Sequence, residues 1–353
     1  MNSPNTHHSR LSSILAEGAT RRAVMRGLAG GSLTVAAGGL HPTMRASAGQ
    51  ASPTPEPVYR YTLGTFDVRV IRDGWIAFPA SVFAINAPPQ ELADAVADAG
   101  QSLDMFALDL QVLLIDTGDH LVLIDPGAGL PTPQIGPVLA AMSVEGFAGE
   151  TGRLIPALEA EGISPGDIDT VIFTHLHVDH IAGAADTAGQ PAFPNARYVT
   201  SQAEYDYWST GPDLAEVYGS DVFKMFFRNS ALGIIEVLGD RLELVEPNTE
   251  IVPGITVISA PGHTPGHMAV EVTSGGETLL HVGDAAADPV LHLVHPDWFI
   301  AFVSWPAREA LTRRQIFDRA ADENLLVQTV HFAYPGVGRV TRDGSGWLWQ
   351  PEA

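Results

Sequence analysis

Cysteine is absent from all 353 residues, which excludes disulfides, thiol nucleophiles, cysteine-built zinc fingers and cysteine-ligated iron–sulfur clusters. Any metal this chain holds is held by His, Asp and Glu. Positive charge is also scarce: 19 Lys plus Arg face 41 Asp plus Glu, a formal charge of −22, and Lys224 is the single lysine. A field of that sign repels phosphate backbones and anionic bilayers, so nucleic acid is excluded as a partner. Long hydrophobic runs are missing too. The apolar stretch at residues 27–40 has 14 residues with five glycines, short of the roughly 20 a spanning helix needs, so stable membrane insertion is not expected. What remains, 45% hydrophobic and 17% charged, is the balance of a globular chain with room for two domains or one large one.

Residues 1–48 carry five arginines and one acid, then the weakly apolar glycine-containing stretch, and end in Ala46-Ser47-Ala48. This is the pattern of a cleaved export signal, and Arg21-Arg22 gives it a twin-arginine character, so the expected location is periplasmic or extracellular. Residues 49–57 follow as a proline-rich linker, and residues 58–353 as the folded domain.

From Val58 the pattern is that of strands. Residues 59–63 and 66–71 alternate about Gly64 as a half-buried hairpin does, and residues 110–115 and 121–124 form a second, fully buried hairpin closed by Asp125-Pro126-Gly127. A helix is expected over 151–161 and a buried strand over 169–173. Strands over 255–259, 268–273 and 278–282, a helix over 306–324 and a strand over 325–329 complete the reading, two similar β-then-α halves without a residue-level repeat.

Directly after the strand ending at Phe173 stands Thr174-His175-Leu176-His177-Val178-Asp179-His180, four ligand-type side chains within six residues. Alternate residues of an extended segment face one way, so His175, His177 and Asp179 converge while a turn at Asp179 brings His180 around. Other candidate ligands also follow predicted strands: His263 in Pro261-Gly262-His263-Thr264-Pro265-Gly266-His267, Asp284 after Val282-Gly283, and His331. His267, His281, His292 and His295 are further candidates, the last two as pocket residues or supports for a ligand.

Taken together, H-x-H-x-D-H, P-G-H-T-P-G-H, a G-D after a strand and a final histidine resemble the metallo-β-lactamase-fold hydrolases over residues 58–353. The resemblance implies an α/β fold, an αββα sandwich of two mixed β-sheets with helices on both outer faces. It implies one divalent metal on His175, His177 and His263 and a second on Asp179, His180 and His331, with Asp284 bridging. Zinc is the first expectation, with manganese, iron and cobalt as alternatives. Two such ions about 3.5 to 4 Å apart yield a bridging hydroxide near neutral pH and polarise the substrate oxygen. Asp284 as the bridge and Asp179 as a proton donor to the leaving group are the catalytic residues this implies.

Within the fold, Tyr61-Thr62-Leu63-Gly64 with Arg72-Asp73-Gly74, Ala192-Phe193-Pro194-Asn195-Ala196, Asp206-Tyr207-Trp208, Val252-Pro253-Gly254-Ile255 and Tyr334-Pro335-Gly336-Val337-Gly338 are similar to the methyl parathion hydrolases and related quorum-quenching lactonases. That similarity implies cleavage of small, neutral or apolar lactones, aryl esters or phosphotriesters in a pocket walled by Trp208, Phe226 and Phe227, and a homodimer as the self-association to test. One departure bears on lactones: acyl-homoserine lactonases of this fold carry a tyrosine three residues after the bridging aspartate, where this chain has Ala287. Tyr205, Tyr207 and Tyr218 are the phenols in a segment able to reach the site instead. The competing readings on the same fold are a mononuclear iron persulfide dioxygenase and a glyoxalase-type thioesterase.

Overall fold

The computed structural model describes residues 57–130, 148–212, 214 and 221–352; the expected export signal, the linker up to residue 56 and Tyr218 lie outside them. Strand β1 (Val58–Leu63) turns at Gly64 into β2 (Phe66–Phe78), in register from Leu63↔Phe66 to Val58↔Ile71. Strand β2 runs further than its alternation suggests because it bends at a register shift between Arg72 and Gly74 and goes on pairing with β3 (Phe106–Asp116). Gly74 is required at that bend: a Cβ there would lie 1.8 Å from the Glu150 carbonyl oxygen, where β5 (Ala148–Glu150) pairs onto β2.

The first sheet continues through β4 (Leu121–Ile124), β6 (Thr170–Ile172), β7 (Arg197–Ser201) and β8 (Leu242–Val245), the last three pairings parallel. Helices α1 (Pro89–Asp98), α2 (Leu154–Ala160), α3 (Val178–Ile181), α4 (Gln202–Ser209) and α5 (Asp221–Leu238) belong to this half. In the second sheet the order is β15-β14-β13-β12-β11-β10-β9, built from β9 (Thr249–Val252), β10 (Ile255–Ser259), β11 (Met268–Ser274), β12 (Glu277–His281), β13 (Leu326–Gln328), β14 (Val337–Asp343) and β15 (Gly346–Pro351). A single long helix, α6 (Pro306–Asp322), covers it. Among the described residues no helix is long and apolar enough to cross a membrane.

Period-two patterning sorts the side chains into layers. Val68 and Val70 of β2, Leu113 and Ile115 of β3, and Ile172 of β6 meet Val257, Val270, Val272 and Leu279 of the second sheet between the two sheets. The alternate residues Leu108, Leu110, Val112 and Leu114 face outward onto the helices of the first half. Ala269, Leu280 and Val327 face α6 through Ile316, Phe317 and Ala320. The result is the expected αββα sandwich of two mixed sheets.

Candidate metal centre

The ends of β4, β6, β10, β12 and β13 open onto one edge of the sandwich. After β6 the chain bends at Thr174 and His175 and is extended again at His177, which N-caps the single turn of α3 and so returns Asp179 and His180 toward His175. Asp284 is placed by its neighbours. Gly283 sits at φ 51, where a Cβ would come 2.6 Å from His267 Nε2, and the Asp284 N–H donates to that nitrogen at 3.0 Å.

The donor atoms fall into two groups, His175, His177, His263 and Asp284 in one and Asp179, His180 and His331 in the other; within each group they lie within 4.8 Å of one another. The carboxylate of Asp284 divides between them. Its Oδ2 faces His263 Nε2 at 3.1 Å and His175 Nε2 at 3.8 Å; its Oδ1 faces His331 Nε2 at 3.1 Å and His180 Nε2 at 3.2 Å. In the first group His177 Nδ1 and His263 Nε2 approach to 2.9 Å, and in the second Asp179 Oδ2 lies 3.5 Å from His331 Nε2.

This donor set fits divalent ions. His175 Nε2, His180 Nε2 and Asp284 Oδ1 are buried without a hydrogen-bond partner, a costly state unless another electron-pair acceptor takes them up. The electrostatics agree. Burial, reinforced by neighbouring imidazoles, holds His175 and His177 well below the usual histidine range, so both are neutral donors. Burial acts the same way on His180, His263 and His331, but Asp284 with Asp179, Asp125 or Glu309 outweighs it. His180 is held well above its usual range, His263 is pushed up to about 9, and His331 is raised. For Asp284 burial alone would raise the carboxyl, and His180, His331 and His263 hold it well below the carboxylate range instead. Buried negative charge here draws in positive charge, which protons supply when no metal does.

Behind the donors stands a second set of polar groups. Asp125, wholly buried after β4, accepts from Thr174 N at 2.8 Å, from Thr174 Oγ1 at 2.7 Å and from His180 Nδ1 at 2.8 Å. The Thr174 hydroxyl also meets His175 Nδ1 at 3.0 Å, and the Asp109 carbonyl accepts from His331 Nδ1 at 3.1 Å. Glu204 on α4 uses both oxygens, accepting from Leu176 N and Trp208 Nε1 on one side and from Thr264 Oγ1 and Gly266 N on the other. It thereby ties the loop carrying His175 and His177 to the loop carrying His263.

Over the donors lies a cavity of about 340 Å³ lined by His177, Asp179, His263, Asp284 and His331 together with Phe78, Phe83, Phe226, Phe227, Ile300 and Phe302. Of the three aromatics expected in its wall, Phe226 and Phe227 are there. Trp208 is not: its indole is buried behind His177, 5.9 Å between ring centroids, where its N–H serves Glu204. Ala287 lines the cavity, while Tyr205 and Tyr207 do not, and the Tyr207 hydroxyl bonds Ser304 Oγ at 3.1 Å.

The remaining candidate histidines have other partners. His267 Nδ1 donates to the Ala260 carbonyl, and burial pushes its ring down to about 4. His292 bridges the Phe83 carbonyl and the Ala287 and Asp288 amides, His281 pairs with Gln328, and His295 stacks on Trp298 with centroids 3.8 Å apart. Asp125, Glu204 and Glu309 are the functional residues that motif reasoning passed over. Asp125 had one signal, an acid directly after a buried apolar strand, which a turn explained equally well.

Comparison with known proteins agrees with this architecture. At 30% identity over 200 residues, the chain is similar to a probable metallo-hydrolase of Mycobacterium tuberculosis, covering 51% of this chain and 57% of that one. At 27% identity over 191 residues it is similar to an N-acyl homoserine lactonase of a Bacillus species, covering 50% and 64%. The matched part is thus under two thirds of these relatives' own lengths. Among solved structures, the dizinc quorum-quenching lactonase AidC, in complex with a product, superposes with a TM-score of 0.74 at 25% identity, covering 84% of this chain and 97% of that one. The hydrolase AbOPH gives 0.72 at 24% identity, over 84% and 98%, a likeness of fold. Residues 110–331, which run from within β3 to the last donor histidine, match the family model of the metallo-beta-lactamase superfamily, and the chain belongs to that superfamily.

Proposed function

We propose that the chain is a hydrolase of small, largely apolar esters, taking lactones, aryl esters or phosphotriesters, that works with two divalent ions. His175, His177 and His263 would hold one ion, Asp179, His180 and His331 the other, and Asp284 would be shared. One observation carries the reading: the two oxygens of a buried carboxylate face two separate donor groups on the floor of an apolar cavity. The second donor group speaks against a mononuclear iron centre. Bound there, two divalent ions would activate water near neutral pH and polarise the substrate's carbonyl or phosphoryl oxygen. Zinc suits this nitrogen and oxygen donor set best.

The chain's own residues do the rest. Phe226, Phe227 and Phe302 exclude water and pack the apolar part of the ester against the floor. Asp179 borders the cavity and commits only Oδ2 toward His180 and His331, leaving its other oxygen to hold a proton for the departing alkoxide. The named lactonases among relatives and neighbours support lactones, while Ala287 at the cavity wall supports esters whose leaving group needs less help. The composition of residues 1–48 supports export through a twin-arginine-type signal, which N-terminal sequencing of protein collected outside the cytoplasm tests.

The deciding experiment is elemental analysis of the purified chain, paired with turnover of an acyl-homoserine lactone, dihydrocoumarin, a p-nitrophenyl ester and a methyl phosphotriester. Two metals per chain with chelator-sensitive hydrolysis is the expected result. A single iron with oxygen consumption on a persulfide and no hydrolysis would overturn the proposal.

A further inference from the structure

Helix α6 reaches the metal centre from the outer face of the second sheet with two buried charged side chains. Glu309 is 1% exposed and Arg313, one turn later, is fully buried. Glu309 Oε2 lies 3.1 Å from Arg313 Nη2, and Oε1 lies 3.5 Å from His263 Nδ1, the ring nitrogen opposite the donor atom Nε2. His263 Nδ1, both Glu309 oxygens and Arg313 Nη2 are buried without a hydrogen-bond partner, so these groups face one another as charges with their hydrogen-bonding capacity uncommitted. The guanidinium itself is pinned: Nε donates to the Ala285 carbonyl at 2.6 Å, and Nη1 to the carbonyls of Pro296 and Trp298, each at 2.8 Å. Ala285 directly follows Asp284.

A buried ion pair adds little to stability compared with apolar packing of the same volume, so its placement calls for a reason beyond the fold. The reason lies in how an imidazole donates to a metal. A carboxylate behind the ring keeps the proton on the far nitrogen, fixes the ring's orientation and strengthens the donor nitrogen. His180 has such a partner in Asp125, whereas His175 has a hydroxyl and His331 a backbone carbonyl. On the geometry above, Glu309 is the only acid among the described residues within 4 Å of His263 Nδ1.

We infer that Glu309 and Arg313 are a positioning pair for the metal centre: Glu309 takes the Nδ1 proton of His263 as a hydrogen bond and presents Nε2 to the ion of the first donor group, while Arg313 holds Glu309 and ties it to the backbone beside Asp284. The inference rests on the reading of the two donor groups as a dinuclear centre and concerns metal binding rather than the ester cleaved.

The test uses the full chain, with cobalt(II) binding measured in competition with a chromophoric chelator and imidazole N–H proton resonances recorded on metal-loaded protein. Glu309→Gln should weaken one of the two ions about 10- to 100-fold and leave the other within a few-fold. It should also move the His263 N–H resonance. Because an isolated buried cation destabilises the fold, the paired variant Glu309→Leu with Arg313→Met is the companion, expected to keep the unfolding midpoint of the metal-free chain near that of the parent and to show the same selective loss. Unchanged affinity for both ions in either variant overturns the inference. So does an equal loss at both ions that tracks a lowered metal-free midpoint, which is the signature of a merely structural pair. A parent chain that binds two ions yet cleaves no ester would instead refute the proposed function and leave this inference standing.

Discussion

Replacing Asp125 by Asn tests the logic of the centre through a residue that touches no substrate. Its carboxylate accepts three donors, Thr174 N–H, Thr174 Oγ–H and His180 Nδ1–H, all within 2.8 Å and wholly buried. An amide has one acceptor end and one donor end. Turned one way, its NH2 group confronts the Thr174 amide. Turned the other way, it confronts His180 Nδ1 and forces the ring proton onto Nε2, the atom that faces Asp284 Oδ1 at 3.2 Å. Hydrogen bonds to a charged acceptor contribute about 1.5 to 3 kcal/mol each, so one broken and two weakened bonds destabilise the metal-free chain by about 3 to 4 kcal/mol. Loss of the correct tautomer weakens the ion of the second donor group by about 10- to 100-fold. The effect also has a pH signature. Burial would raise the Asp125 carboxyl, but His180 outweighs it and holds it below the carboxylate range, so the stabilisation is present above the ordinary aspartate range and is lost as pH falls. Urea unfolding of the metal-free chain from pH 7 downward, with chelator competition on the loaded chain, reads both effects. An Asp125→Asn chain within about 1 kcal/mol of the parent at pH 7, with both ions held at parental affinity, would refute the reasoning.

Three further outcomes are expected. Asp288 caps the π-helical turn Pro289–Val294 by accepting from Val290 N and Leu291 N at 2.8 Å through Oδ1, and burial pushes its carboxyl up to about 6. A raised carboxyl favours the fold below the unfolded pKa and loses that contribution as pH rises through 6. Asp288→Asn, which keeps the acceptor, should therefore gain up to about 3 kcal/mol on the parent between pH 4 and pH 7 in urea unfolding; parallel pH profiles would contradict this. Phe227→Ala removes a ring packed 4.5 Å from His177 and 4.9 Å from Phe302. It should cost about 3 kcal/mol and raise KM for apolar esters more than it lowers kcat; an unchanged KM would place the substrate elsewhere. Ala287→Tyr puts a phenol on the cavity wall and should shift the ratio of lactone to aryl-ester kcat/KM toward lactones by about tenfold or more, with an unmoved ratio showing that the phenol does not reach the reacting oxygen.

Much of the fold was legible because two signals agreed. Alternation marked β10 at its observed bounds, Ile255–Ser259, and placed β11 and β12 within one residue at each end. Helix α6 starts at the predicted Pro306, where proline suits the first turn, and ends two residues early at Asp322. The helix signal at 151–161 overreached: α2 spans Leu154–Ala160 because Gly152 sits at φ 90, outside the helical region, and the free first-turn amide of Leu154 is taken by the buried carboxylate of Asp73, far away in sequence. Strand β5 and the bend of β2 were invisible for a related reason, since the pairing partner, not the local pattern, defines them. The donor residues were legible because the chemistry compresses four of them into six positions and puts the rest after strands. Trp208 was misplaced because a large aromatic near a site reads as wall when only its neighbours in sequence are known.

The supporting layer shows why a motif cannot reveal everything a site needs. Each donor group straddles the sandwich: His175 and His177 follow β6 of the first sheet, and His263 and Asp284 follow β10 and β12 of the second. Asp179 and His180 again belong to the first half, and His331 follows β13 of the second. Holding such a centre rigid takes partners from wherever the chain passes behind it. Asp125 comes from the end of β4, Glu204 from α4 and Glu309 from α6, three segments far apart in sequence. Stability alone does not call for them, because apolar side chains of the same volume would serve a buried position as well or better. Their common feature is geometric: Asp125 and Glu204 accept from a donor histidine or from the backbone beside one, and Glu309 lies 3.5 Å from His263 Nδ1, so the buried charge is set beside the ring nitrogens that face away from the donor atoms. That requirement is met by distance in space, which leaves no spacing rule in the sequence to be read.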